Sequence, residues 1–180
     1  GYTNSGKSTL RNALADLASK DAVVKEKVLE KDMLFATLDT TTRALSLENN
    51  RVVTLTDTVG FVRKLPHDLV EAFKSTLEEV IYSDLLVHVI DGSVDDCLKQ
   101  AAAVDEVLNE IGAGETRRII AINKIDKGKS YITEQVEELY EGKYPIIEIS
   151  AKNGTNLKEL MVLFNEVLPD HLLEIEALIP

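Results

Sequence analysis

The sequence holds a single cysteine, Cys97, so no disulfide can form within the chain. Such sparse cysteine fits a reducing compartment, and a cytoplasmic location is expected. No run of about 18 apolar residues occurs, which excludes a membrane-spanning helix, and no secretory leader is visible. Positive charge is scarce too: 20 Lys and Arg stand against 31 Asp and Glu, a net charge of -11. Bulk electrostatics then disfavours naked nucleic acid, and no direct DNA binding is expected. An RNA-rich partner would have to be reached through a local basic patch or another domain. What the chain does have is core material. Its 180 residues, 44% hydrophobic and 28% charged, suit one globular, monomeric domain.

The chain is organised around Gly1-Tyr2-Thr3-Asn4-Ser5-Gly6-Lys7-Ser8-Thr9. The spacing G-x-x-x-x-G-K-[ST] is that of a phosphate-binding loop. Backbone N–H groups wrap a polyphosphate only where the chain can approach closely, which Gly1 and Gly6 allow. Lys7 reaches the β- and γ-phosphates, and the Ser8 hydroxyl is placed to ligate Mg²⁺. A helix opening at Lys7 would turn its partly positive end toward the anion. Such a loop ordinarily follows a buried parallel strand, so a central strand is expected ahead of residue 1.

Leu10, Ala13, Leu14 and Leu17 recur at helical spacing after that loop. Residues 18–32 are charged and read equally as helical extension or connector, and the threonine-rich segment 33–43 reads as a loop. Arg43–Glu48 and Arg51–Thr56, joined by Asn49-Asn50, form a hairpin signal. Helices are predicted over 67–83, 95–111, 132–139 and 156–168. For the second, Leu98, Ala102, Val104 (or Ala101), Val107, Leu108 and Ile111 are placed inward, with Gly112 and Gly114 ending it. Buried strands are predicted over 84–91 and 118–122, and a further strand over 145–149. Strands alternating with helices predict an α/β fold: a three-layer, mostly parallel sheet with helices on both faces. Residues 1–168 form the predicted domain, without its first strand, and 169–180 a linker or the start of a C-terminal domain.

Ligands of such sheets bind at the C-terminal strand ends, where three further motifs fall. In Asp57-Thr58-Val59-Gly60, the carboxylate is able to hold Mg²⁺ through water and the Gly60 N–H to bond a γ-phosphate; alone, this tetrapeptide reads as a strand-ending turn. In Asn123-Lys124-Ile125-Asp126, the Asp126 carboxylate matches the N1–H and N2–H₂ donors of guanine. Adenine lacks them and would leave the charge unpaired. Asn123 and Lys124 brace the loop and cover the ring. Ser150-Ala151-Lys152 completes the base pocket, with the Ala151 N–H directed at the guanine carbonyl.

Together, in this order, the four motifs resemble the translation-factor-like class of P-loop GTPases, which implies a GTP-binding domain. Longer segments are more specific. Phe35-Ala36-Thr37-Leu38-Asp39-x-Thr41-Thr42-Arg43, then 57–67 (DTVGFVRKLPH) and Leu69-Val70-Glu71-Ala72-Phe73, resemble the HflX family over essentially the whole chain. The resemblance implies a GTPase that binds the large ribosomal subunit and helps rescue or split stalled ribosomes. Thr40 stands where that family often has proline.

Resemblance also bears on single residues. Phe61 follows Asp57-x-x-Gly60, where many GTPases place a water-orienting glutamine, so slow intrinsic hydrolysis and stimulation by a partner are expected. Asn4 matches a position that helps bind K⁺ in GTPases resembling MnmE. Lys7 and the Gly60 N–H are the expected transition-state stabilisers, with Mg²⁺ on Ser8, Asp57 and a switch threonine: Thr37 first, Thr41 or Thr42 otherwise. Arg63 and Lys64 read as solvated charges, or else as ribosome contacts. His88 and Cys97 read as packed core residues. Two rivals stand beside this reading: a nucleotide-binding regulatory module with negligible hydrolysis, and a K⁺-stimulated GTPase of tRNA modification. Without the strand before Gly1, these 180 residues alone are expected to fold poorly and bind GTP weakly.

Overall fold

A computed structural model of the chain describes residues 1–21, 42–47, 51–58, 79–127 and 131–169. Its elements run α1 (Lys7–Asp21), β1 (Thr42–Ser46), β2 (Val52–Thr56), β3 (Leu86–Asp91), α2 (Cys97–Glu110), β4 (Arg118–Asn123), α3 (Ile132–Tyr140), β5 (Ile146–Glu148) and α4 (Leu157–Val167). Strands β3, β4 and β5 pair in parallel in that order, with His88 opposite Ile120 and Ile120 opposite Ile146. Strands β1 and β2 form the antiparallel hairpin that Asn49-Asn50 signals, with Ala44 opposite Thr54 and the Leu47 N–H donating to the Arg51 carbonyl at 2.7 Å.

Strand β4 shows why the architecture has three layers. All six of its residues are buried, as a central strand covered on both faces requires. Its side chains alternate between two cores. Ile119 and Ala121 pack with Leu10 and Leu14 of α1 and Leu160 and Phe164 of α4. Ile120 and Ile122 pack with Cys97 and Ala101 of α2 and Val136 of α3. The sheet is therefore sandwiched between α1 and α4 on one face and α2 and α3 on the other.

Helix α2 starts at Cys97, later than the predicted Asp95, and its deeply buried side is Cys97, Ala101, Val104 and Leu108. Ala101 rather than Ala102 lies on that stripe, because steps of four and three keep one helical face. The helix ends as its glycine predicts. Gly112 takes φ +83°, its N–H bonds the Asn109 carbonyl at 3.1 Å, and the Ala113 N–H bonds the Leu108 carbonyl at 2.8 Å. This double closure needs a left-handed residue that only glycine adopts freely. Of the predicted helix over 67–83, residues 79–83 are described: 79–81 are helical, and Tyr82 and Ser83 lie past the helix end.

Strands β2 and β3 do not pair with each other. A cavity of about 670 Å³ lies between them, lined by Val53, Leu55, Val87 and Val89 and floored by Leu10 and Leu14. Gly1 sits at its edge, so close to β3 that a Cβ would come within 2.3 Å of the Val89 carbonyl oxygen.

One buried polar cluster joins four elements beneath the sheet's far end. Arg118, 3% exposed, pairs with Asp105 of α2 and lies over the Tyr144 ring at 4.8 Å. The Tyr140 hydroxyl donates to Asp105 at 2.9 Å and lies 3.3 Å from His88 Nδ1. Burial holds the His88 pKa well below the usual imidazole range, so this histidine packs neutral, as expected. Removing the carboxylate strands the buried Arg118 guanidinium without its charge partner. Asp105→Ala should therefore destabilise the fold by about 3 kcal/mol, read as a drop of about 9 °C in the thermal midpoint. A drop under about 2 °C would show that solvent replaces the carboxylate.

Candidate functional site

The site is built from loops at the C-terminal ends of the strands. The phosphate-loop candidate turns through Asn4 (φ +60°) and Gly6 (φ +97°) before α1 begins. Asparagine tolerates the left-handed conformation, and glycine adopts it without strain. Glycine is needed at position 6 for space as well, since a Cβ there would meet Asn123 Nδ2 at 2.3 Å. Ser5 is fully buried, and its N–H donates to the Tyr2 carbonyl at 3.3 Å. Tyr2 is half-buried, and Thr3, Ser8 and Thr9 are exposed.

The Lys7 ammonium donates to the Tyr2 carbonyl at 2.9 Å and so lies back over the loop. Burial lowers its pKa, and the nearby Asp57 carboxylate acts the other way. Strand β2 delivers Asp57 to α1. Ser8 Oγ donates to Asp57 Oδ2 at 2.7 Å, and an Arg11 guanidinium nitrogen lies 3.5 Å from the same oxygen. The two metal-ligating candidates, 49 residues apart in sequence, thus touch. Thr58 follows, half-buried. Thr37, Thr41, Val59, Gly60 and Phe61 lie outside the described residues. Thr42, the remaining threonine candidate, is the first residue of β1, with its hydroxyl 3.2 Å from that of Thr56.

From the other side, β4 delivers Asn123 and Lys124. Asn123, 2% exposed, donates from Nδ2 to the Ser5 carbonyl at 2.9 Å and accepts the Ala151 N–H at 3.0 Å. Lys124 stands at φ +67° and donates to the Asn4 carbonyl at 2.8 Å. Asp126 accepts from Ser150 Oγ at 2.7 Å. That bond, before any other cause, draws its pKa below the usual carboxylate value. Lys152 is exposed beside it.

The Ala151 N–H, expected to face a guanine carbonyl, donates here to Asn123 Oδ1. A buried N–H needs a partner, and the buried Asn123 side chain supplies one. The sequence reading also passed over three residues. Asp91, at the end of β3, accepts from Lys124 Nζ at 2.6 Å and from Ser93 Oγ and N at 2.6 and 3.0 Å. Arg11 was read only as part of a helix. The available signal was position: Asp91 ends a buried strand at the same sheet edge as the recognised motifs.

Comparison with known proteins agrees with this geometry. Residues 1–124 match the model of the 50S ribosome-binding GTPase family. The chain is 53% identical over 161 residues to a GTPase HflX of Caldanaerobacter subterraneus subsp. tengcongensis, covering 89% of this chain and 34% of that protein. It is 39% identical over 168 residues to the GTPase HflX of Escherichia coli, covering 93% and 37%. Among solved structures, a GTP-binding protein of Sulfolobus solfataricus in complex with GDP superposes with a TM-score of 0.71 at 34% identity, covering 93% of this chain and 50% of that one. The chain thus spans between a third and two fifths of the length of these two curated relatives. With its phosphate-loop sequence and its Asn-Lys-x-Asp loop in contact, and with its match to the family model over 124 residues, the chain belongs to the 50S ribosome-binding GTPase family, among the HflX proteins.

Proposed function

We propose that this chain binds guanine nucleotide, hydrolyses GTP and acts as a nucleotide-controlled switch on the large ribosomal subunit, in ribosome rescue or splitting in the cytoplasm. The observation that carries the reading is the direct hydrogen bonding between Asn123 and Lys124 and the carbonyls of Ser5 and Asn4. It joins a base-reading loop to a phosphate-binding loop 118 residues away, at a spacing that a nucleoside polyphosphate would bridge. In this reading residues 1–168 are the nucleotide-binding domain, and 169–180 are a linker or the start of a C-terminal domain.

Each side chain then has a role. The N–H groups of 1–9 wrap the phosphates, and Lys7 spreads positive charge over the β- and γ-oxygens as charge moves off the γ-phosphoryl group. The N–H of Gly60 adds a donor to the γ-phosphate. The Asp126 carboxylate reads guanine, while Asn123, Lys124, Ser150, Ala151 and Lys152 hold the base pocket in shape. Ser8 and Asp57 present two hard oxygen donors in contact, a set that suits Mg²⁺, with Thr37 the first candidate to join them. A Mg²⁺ held by these residues would supply charge neutralisation to the phosphates. Asn4, exposed at the loop's turn, is the candidate for K⁺.

Phe61 favours a second reading, a nucleotide-binding module with negligible hydrolysis, because its side chain cannot orient a water. One measurement separates the two: GTP turnover by the full-length protein, with and without large ribosomal subunits, in K⁺ and in Na⁺. Stimulation of about 10²-fold or more by the subunits is expected, the scale on which partners complete GTPase sites. Added dependence on K⁺ would support the role of Asn4. Tight GTP binding without turnover in any of these conditions would leave only the regulatory module.

A further inference from the structure

The turn Asp91-Gly92-Ser93 belongs to none of the four motifs, yet it is built against one of them and, through Lys124, linked to a second. The Gly92 N–H donates to the Asn123 carbonyl at 2.9 Å. A Cβ on Gly92 would come within 2.9 Å of Ile122 Cγ2 and 3.2 Å of that same carbonyl oxygen. Asp91 is 8% exposed, and both its oxygens are engaged: Oδ1 by the Ser93 N–H and hydroxyl, Oδ2 by Lys124. A carboxylate this near a phosphate-binding loop would repel a polyphosphate unless a cation neutralised it. The Lys124 ammonium does so and, with its remaining reach, bonds the Asn4 carbonyl.

Lys124 also carries backbone strain. A lysine at φ +67° costs roughly 1 kcal/mol or more and persists only where its surroundings over-determine it. Here the far end of its side chain is held at two points, one on β3 and one on the phosphate loop. Remove the carboxylate, and the ammonium keeps a single neutral acceptor on an exposed loop.

We propose that Asp91 is a positioning residue for nucleotide retention: locked by Ser93, it holds Lys124 against the Asn4 carbonyl and so ties the base-reading loop to the phosphate loop. The inference rests on the guanine-nucleotide reading above and goes beyond it by naming what sets the lifetime of the bound state. A nucleotide held by both loops would leave more readily once they part, so the tie acts chiefly on dissociation.

The test is release of a fluorescent GDP analogue from the full-length protein, chased with excess unlabelled GDP, together with the thermal midpoint of the nucleotide-free protein. Asp91→Asn keeps the shape and loses the charge. It should speed release about tenfold, as loss of a charge-assisted hydrogen bond does. Its midpoint should stay within about 2 °C of the parent. Ser93→Ala, which removes one hydroxyl, should speed release about two- to threefold; it carries the test if Asp91→Asn does not fold. In a Lys124→Ala background, Asp91→Asn should add nothing, because the two act through one contact. Release from Asp91→Asn within about twofold of the parent, or effects that multiply in the double variant, would overturn the inference. A parent that binds no GDP analogue would instead sink the guanine-nucleotide reading, and this inference with it.

Discussion

Lys7→Ala should reduce GTP hydrolysis by about 10²–10³-fold or more, the scale for removing one preorganised donor from a developing oxyanion. The physical basis is position. Lys7 opens α1 at its N-terminal end, where the helix dipole already favours anions, and its ammonium is held over the loop by the Tyr2 carbonyl. Partial burial makes each of its electrostatic contacts stronger than the same contact in water. Lys7→Arg should not rescue the activity, because a planar fork cannot occupy the place of a compact ammonium inside a closed loop. The fold should hardly notice either change, since among the described residues the ammonium bonds one loop carbonyl. Single-turnover hydrolysis and nucleotide titration, with a thermal melt as control, check this. Hydrolysis within about threefold of the parent would remove Lys7 from the site.

Asp126→Asn should invert base preference. The reasoning starts from Ser150, whose hydroxyl donates to Asp126 Oδ1 at 2.7 Å. In the variant, that hydroxyl keeps the amide carbonyl on its own side. The amide nitrogen, a donor, then faces the base. Guanine presents N1–H and N2–H₂ donors there, so the amide N–H meets a donor where the carboxylate offered an acceptor. Xanthine presents a carbonyl at the same carbon, which accepts. GDP affinity should fall about 10²-fold or more, as in sites built to pair a specific polar edge, while XDP affinity rises. Competition of GDP, XDP and ADP against a fluorescent nucleotide is the check. An unchanged GDP affinity would mean that Asp126 does not read the base, and the guanine reading would then rest on no residue of the loop.

The fold was legible wherever local chemistry and burial agree. The run 118–122 (RRIIAI without its first residue) reads as a buried strand because a central strand shows apolar side chains to two helical layers, and β4 is that strand. The stripe on α4 reads from Leu157, Leu160, Met161 and Phe164, with Met161 partly buried and the other three buried. The hairpin reads from Asn49-Asn50, and its register follows from the pairing of Leu45 with Val53. Errors fell at edges. The strand expected from Asp84 begins at Leu86, and α2 begins at Cys97, since terminal residues are settled by neighbours and not by their own propensity. Arg118 opens the strand predicted as buried, and it is itself nearly fully buried, because Asp105 from α2 and the Tyr144 ring meet it there.

The candidate site divides the same way. By itself the sequence determined the kinds of chemistry available: a glycine-spaced loop for an anion, two oxygen donors for a hard cation, and a carboxylate matched to guanine. These are properties of a few adjacent residues, and adjacency is what a sequence displays. Tertiary structure alone decided who partners whom. It set Ser8 on Asp57, Asn123 on the Ser5 carbonyl and Lys124 between Asp91 and Asn4, and it turned the Ala151 N–H to Asn123. The physical reason is that a hydrogen bond depends on a separation of about 3 Å and on direction. Residues 33, 49 or 120 positions apart come within that distance only after the sheet has brought its strand ends to one edge.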